Sequence, residues 1–222
     1  MTAADRKLPV VILISGTGSN MCRLAELVQT GELPIEIKAV ISDRADAKGL
    51  VTASGMCIKT ESLNPKAFAQ RSEFDAALAK LVSSYQPELV ILAGFMRILD
   101  SQFVSRFSDR MLNIHPSLLP RYPGLHTHQR ALDAGEEVHG ASVHFVTPEL
   151  DGGPVVVQAR VPVLKADSAE SLAKRVLQQE HHIYPLAVKR FAEGRLHMRS
   201  GKVWLDGREL NAPLQVLNGI TP

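Results

Sequence analysis

Apolar runs rich in β-branched residues recur along this chain at intervals too long for hairpins, and the intervals are filled by segments of helical period. That alternation is the strongest constraint on the fold. LPVVILISG and PELVILAGF are continuous in apolar residues, as strands covered on both faces are, and EIKAVIS, MCIKTES and MLNIHP read as further strands. Helices are expected over 20–30, 48–54 and 65–85, with a short one through Phe103 and Phe107, another over 129–134, and the longest over 167–194. Asp167 and Glu170 offer that longest helix a capping box, and Leu172, Val176, Ile183 and Leu186 offer it an apolar face. ASVHFVTPEL and PVVVQARVPV have the length and alternation of an antiparallel pair, and the Asp-Gly of KVWLDGREL signals a two-residue hairpin. The predicted class is α/β: a mostly parallel, doubly wound, Rossmann-like sheet with an antiparallel C-terminal extension.

At 222 residues the chain fits a single domain over 1–222, with 1–8 as a disordered or extended N-terminus and 202–222 as a hairpin and tail. A net charge of +2, with no basic cluster, gives no electrostatic case for a nucleic-acid or membrane-surface partner, so small molecules are the expected ligands. MTAADRKLP is not followed by a signal or membrane segment, and Cys22 and Cys57 form neither a CxxC nor a disulfide framework. A reducing cytoplasm is the expected compartment. The sequence leaves a monomer or a homodimer open.

ISGTGSN follows a buried strand and opens a helix, so the amides of Gly18, Ser19 and Asn20 would point out of a helix N-terminus, where unpaired N–H groups and the helix dipole bind phosphate. A dinucleotide fingerprint would need a glycine where Met21 stands, although Asp43 could pass for the ribose-binding acid. A P-loop would need a Gly-Lys-Ser/Thr ending. An ordinary strand-to-helix turn capped by Ser19 or Asn20 is the remaining alternative. A monophosphate site suits the residues best.

NIHPSLLPRYPGLHTH concentrates three of the eight histidines and three of the thirteen prolines in one loop. Asn113 and His115 are two apart on a strand, so their side chains point the same way, and an amide beside an imidazole suits acyl-type chemistry: Asn113 donates to a developing oxyanion while His115 moves a proton. Pro116, Pro120 and Pro123 stiffen the chain after this strand. A metal site would need His115, His126 and His128 to converge, and no HExxH or paired-cysteine spacing accompanies them. His139, His144, His181, His182 and His197 read as surface or satisfied structural residues, His144 being the best candidate to line a pocket. Asp151, in the turn ELDGGP, could tune His115, but Asp-Gly is also ordinary turn chemistry and spacing cannot bring the two together.

LISGTGSN, VILAGFMRIL, NIHPSLLPRYPGLHTH and SVHFVTPELDGGPVV, in this order and over nearly the whole chain, closely resemble the folate-dependent glycinamide ribonucleotide formyltransferase family of purine synthesis. The resemblance implies transfer of a formyl group from 10-formyltetrahydrofolate to the amine of 5-phosphoribosylglycinamide, without a metal. By resemblance, Asn113 is the oxyanion donor and His115 the proton donor, and Asp151 raises the imidazole pKa and orders the water through which protons leave the amine. Substrate phosphate would lie on Gly18, Ser19 and Asn20. Leu177, Gln178, Gln179 and Glu180 correspond to substrate contacts in the long helix, Glu180 being the partner of the glycinamide or ribose. Met96, Arg97, Ile98 and Leu99 match the segment around the pterin, Thr147, Pro148, Glu149, Leu150 and Asp151 match the loop covering it, and Asn113 is a further folate contact. Arg71 matches an arginine that reaches the folate's glutamate carboxylate. By periodicity alone Met96, Ile98 and Leu99 would be core, and Arg71 a solvated helix residue.

Three other functions compete with this one. A methionyl-tRNA formyltransferase would need a further C-terminal tRNA-binding domain, and a formyltetrahydrofolate hydrolase normally carries an extra N-terminal domain. A non-catalytic nucleotide sensor on the same sheet would not need Asn113, His115 or Asp151.

Overall fold

The computed structural model describes residues 6–216, and in it the first apolar run becomes β1 (Leu8–Ile14), with Val10 to Ile14 wholly removed from solvent. Apolar residues on both sides of a strand require cover on both faces, and helices supply it. The described residues up to Leu112 form one compact unit and those from Asn113 a second. In the first, α1 (Ser19–Gln29), β2 (Ile35–Ser42), α2 (Lys48–Gly55), β3 (Thr60–Ser62), α3 (Arg71–Ser84), β4 (Leu89–Leu92) and α4 (Ser101–Arg106) follow β1. The strand order is β3-β2-β1-β4, and all the pairs are parallel.

Two elements are shorter than their patterns predict. MCIKTES contributes only Thr60–Ser62 to the sheet, because the chain leaves α2 through Met56 and a left-handed Cys57 (φ 59°) before it can pair with β2. The helix expected from Pro65 is broken: Pro65–Ala67 makes one 3₁₀ turn, Phe68 is extended, and α3 begins at Arg71. Its start is set by Glu73, whose carboxylate accepts the N–H groups of Ala69 and Gln70 at 3.1 and 3.3 Å. Phe68 packs edge-on against Phe74 and fixes the entry of the chain.

The second unit continues from β5 (Met111–His115) through α5 (Thr127–Asp133), β6 (Val138–Phe145), β7 (Val155–Pro162), α6 (Ala169–Ala192), β8 (Leu196–Arg199), β9 (Lys202–Leu205), β10 (Arg208–Glu209) and β11 (Leu214–Val216). Its strand order is β5-β6-β7-β11, with β6 antiparallel to β7 and β11 parallel to β7, and β8 to β10 form a separate antiparallel sheet. Asp206 and Gly207 turn this small sheet with φ of 51° and 79°, the two left-handed residues a type I′ hairpin needs. The architecture is α/β and mostly parallel, with β6–β7 an antiparallel pair. Part of the predicted extended N-terminus, residues 1–5, lies outside the described residues.

The cap of α6 differs from the predicted one. Ser168 caps it, accepting Ser171 N–H at 3.2 Å, while Asp167 is occupied by a two-pronged contact with the Arg175 guanidinium at 2.6 and 2.9 Å. The hydrogen-bonded guanidinium, helped by the Leu164 N–H, holds the Asp167 carboxyl well below the usual carboxylate range. Leu172, Val176 and Ile183 face β6 and β7 as predicted, but Ala187 rather than the half-buried Leu186 completes the buried stripe.

Gly140 governs the closeness of β6 and β7, since a Cβ there would lie 1.9 Å from the Ala159 carbonyl oxygen. Gly140→Ala is therefore expected to lower the unfolding free energy by about 2–4 kcal/mol, read from the midpoint of a urea titration.

Candidate active site

The turn after β1 holds its helix without a side-chain cap. Gly18 is the residue before α1 and is left-handed (φ 71°), it contributes no side-chain cap hydrogen bond, and no acidic residue stands in the first turn. Side-chain capping from the N-cap position, which would compete with an anion, is thus not made there. The turn is braced by a residue that the sequence pattern does not single out. Gly49 in α2 donates its N–H to the Gly16 carbonyl at 3.0 Å, and a Cβ on Gly49 would stand 2.5 Å from Ile14 Cδ1 and 3.2 Å from Gly18 Cα. A glycine in the first turn of a short helix, where it weakens the helix, is the signal that could have identified it.

In the same unit, the segment after β4 is tied at both ends. Met96 N–H donates to Ser15 Oγ at 2.9 Å, Arg71 donates to the Ile98 carbonyl, and Asp100 N–H donates to Asp75 Oδ2 at 3.2 Å. Met96 and Ile98 are 65% and 52% exposed, whereas Leu99 is buried. Of the three, only Leu99 meets the core expectation of periodicity. Two large apolar side chains held outward on a constrained segment form a surface suited to a flat apolar ligand. Arg97 lies over the Phe74 ring, 4.7 Å from its centre.

The second unit gathers the acyl-transfer candidates. Asn113 Nδ2 is 3.0 Å from His144 Nε2, and His144 Nδ1 is 2.9 Å from the Phe145 carbonyl oxygen. A carbonyl only accepts, so Nδ1 of His144 carries the proton and Nε2 accepts from the Asn113 amide. Burial, first, drives the His144 pKa down, although the Phe145 carbonyl and Asp151 act against it. A neutral His144 thus takes one N–H of Asn113 and leaves the second N–H to donate elsewhere.

His115 is buried, and its Nε2 bonds the Tyr122 carbonyl at 2.9 Å, so Nε2 is a fixed donor. Its Nδ1 stands 3.5 Å from Asp151 Oδ2, an approach that becomes attractive when Nδ1 carries a proton. The contact that sequence spacing could not supply is therefore present. Asp151 reaches it in a left-handed conformation (φ 51°) and also accepts Gly124 N–H at 2.8 Å. The ELDGGP turn depends on Gly153, where a Cβ would fall 1.8 Å from the Phe145 carbonyl oxygen. Thr147 is half-buried, and Pro148, Glu149 and Leu150 are exposed on the approach to that turn. On α6, Leu177 and Gln179 are half-buried, Gln178 is exposed and Glu180 is buried.

His126 is exposed at the start of α5 and does not join His115 and His128. Among the described residues no three His, Cys, Asp or Glu side chains are grouped to hold a metal ion. His139 is a buried structural residue rather than a surface one, and it is satisfied only in part, through the Pro116 backbone. It is buried edge-on to His128, with ring centres 5.2 Å apart, and its Nε2 has no hydrogen-bond partner among the described residues. Burial, with a smaller contribution from His128, pushes its pKa from the usual 6.5 down to about 4. No helix among the described residues is long and apolar enough to cross a membrane.

The family model described as "Formyl transferase" matches residues 8–188. A phosphoribosylglycinamide formyltransferase of Escherichia coli is 51% identical over 201 residues, covering 90% of this chain and 95% of that relative. The solved structure of a phosphoribosylglycinamide formyltransferase of Coxiella burnetii superposes with a TM-score of 0.89 at 50% identity, over 92% of this chain and 96% of that one. A formyltetrahydrofolate deformylase of Burkholderia mallei superposes with a TM-score of 0.82 at 26% identity, over 90% of this chain and 70% of its own.

Because the folded pKa of His139 lies below its unfolded value, the unfolded chain binds the extra proton, so stability is fully present above about pH 6.5 and is lost as the pH falls toward 4. Urea midpoints across that window should fall with pH in the wild type, and the slope should be shallower in His139→Gln.

Proposed function

The chain belongs to the formyl transferase family, and we propose that it moves the formyl group of 10-formyltetrahydrofolate to the amine of 5-phosphoribosylglycinamide, releasing formylglycinamide ribonucleotide and tetrahydrofolate in purine biosynthesis. The near full-length match to relatives named for that reaction supports the substrates. The observation that carries the chemistry is the cluster of an amide, an imidazole and a carboxylate in one unit: Asn113, His115 and Asp151, linked by the 3.5 Å contact of His115 and Asp151.

In this reading the substrate amine attacks the formyl carbon and the carbonyl oxygen becomes an oxyanion. The Asn113 N–H that His144 does not use donates to that oxygen, a contact that strengthens as charge develops. Since Nε2 of His115 is committed to the Tyr122 carbonyl, Nδ1 is the nitrogen that gives a proton to the intermediate. Asp151, 3.5 Å from Nδ1, takes up, through water, the proton lost by the attacking amine. One proton leaves the amine and one reaches N10 of the departing tetrahydrofolate, so the step balances.

The other roles follow the same reading. Gly18, Ser19 and Asn20 hold the ribonucleotide phosphate, a role supported by the uncapped start of α1. Leu177, Gln178, Gln179 and Glu180 contact its ribose and glycinamide. The folate lies against Met96, Arg97, Ile98, Leu99, Asn113 and the 147–151 turn, with Arg71 toward its glutamate. The exposed Met96 and Ile98 support that placement. The reaction uses no metal. We place the protein in the cytoplasm as a monomer or homodimer acting on small molecules, without nucleic-acid or membrane partners, in keeping with its two free cysteines and near-balanced charge.

Loss of formyl from 10-formyltetrahydrofolate, followed by absorbance, should require the ribonucleotide; release without it would indicate a hydrolase. Asn113→Ala and His115→Ala should each lower turnover about a hundredfold or more with unchanged circular dichroism, and wild-type turnover in either would remove that residue from the mechanism. Gly18→Val should weaken the ribonucleotide more than the folate, whereas equal losses would mark a folding defect.

A further inference from the structure

Asp75 sits on the inward face of α3 with 1% of its surface exposed, among Phe74, Leu78, Ala79 and Val82. A buried carboxylate is costly unless its oxygens are well satisfied. Here Oδ2 accepts Asp100 N–H at 3.2 Å and stands 3.4 Å from Arg71 Nε, while the buried Oδ1 accepts no hydrogen bond from the described residues. Burial, first, and the nearby Asp100 carboxylate push its pKa up against the pull of Arg71 and Arg97. The backbone contact alone could be made by an uncharged amide, so a carboxylate kept here at that cost points to a role beyond the core.

Two arginines flank this carboxylate, and both belong to the proposed folate site. Arg71, one turn earlier on α3, directs Nε at Asp75 and donates a terminal N–H to the Ile98 carbonyl. Arg97, over the Phe74 ring, is close enough for its charge to act on Asp75. A guanidinium is a rigid plane of five N–H donors, so its hydrogen bond to the Ile98 carbonyl and its ion pair with Asp75 together orient the donors that remain.

We propose that Asp75 is a positioning residue for the folate: by anchoring Arg71 Nε it locks the guanidinium across α3 and the Ile98 carbonyl and presents the remaining N–H groups to the carboxylates of the folate's glutamyl tail. Through Asp100 the same carboxylate holds the end of the segment that carries Met96 and Ile98. Arranging the fork before the ligand arrives removes ordering cost from binding. The inference rests on the folate reading of Arg71.

Steady-state kinetics of the full chain, varying each substrate in turn, test it. Asp75→Asn keeps the size and the acceptor for Asp100 N–H but removes the charge facing Arg71. It should raise KM for 10-formyltetrahydrofolate about threefold to tenfold, with kcat and KM for the ribonucleotide within about twofold. The increase should vanish in an Arg71→Ala background. An unchanged folate KM in Asp75→Asn, alongside a raised one in Arg71→Ala, overturns the inference and leaves the folate site standing. Equal increases in both KM values also overturn it, because they mark a general structural role. An unchanged folate KM in Arg71→Ala overturns the folate assignment of Arg71 and the inference with it. Should Asp75→Asn not fold, Arg71→Lys serves instead: its ammonium cannot span Asp75 and Ile98 as a planar fork, and a folate-specific rise in KM is again expected, whereas no rise overturns the proposal.

Discussion

The Asp151 carboxylate is the point on which the second unit's site depends. Its side chain is only 9% exposed, and a carboxylate so placed is stabilised by hydrogen-bond donors. Separate stretches of chain surround it: Gly124 N–H of the proline loop donates to it at 2.8 Å, and the His115 ring at the end of β5 and the His144 ring of β6 stand 3.5 and 3.8 Å from its two oxygens. Moving any of these stretches would strand the charge. The same requirement accounts for the left-handed Asp151 and for Gly153, whose lack of a side chain lets the ELDGGP turn approach the Phe145 carbonyl.

The loop between His115 and α5 is held by a second set of contacts that is polar but uncharged. Ser142 Oγ donates to the Ser117 carbonyl at 2.6 Å and accepts from Leu119 N–H at 3.0 Å, and Gln158 donates to the Leu119 carbonyl at 2.8 Å. Thr127 Oγ1 donates to the Pro116 carbonyl at 2.6 Å. The prolines narrow what the loop can do, and these groups choose one arrangement by satisfying its backbone. Neither Ser142 nor Gln158 is prominent in the sequence. Their signal is that a polar residue stands at a buried position of an otherwise apolar strand, which becomes visible only when the partner strand and the loop are known.

Electrostatics divides the histidines in a way that their spacing does not. His115 and His144 lie one position from the edge of a predicted strand and within it, respectively, yet opposite bonding makes one ring a fixed donor through Nε2 and the other an acceptor through Nε2. His126 and His128, which look equivalent in xHxH, separate into an exposed residue and a half-buried one packed edge-on to His139.

The sequence by itself determined the α/β class, the order of the elements through α6, the Asp-Gly hairpin and the same-side placement of Asn113 and His115, because hydrophobic period, turn chemistry and the alternation of a strand are local properties of the chain; β8 and β11 carry no such local signal. It also carried the motifs that resemble a formyltransferase. It did not determine where helices begin when capping groups compete, as at Ser168 against Asp167 and at Arg71 against Pro65, since the outcome depends on which side chain another partner has already taken. Only the tertiary structure joined Asp151 to His115, His144 to Asn113 and Asp75 to Arg71 and Asp100. Each of these is a matter of burial and of who donates to whom, and neither quantity exists until the chain has folded.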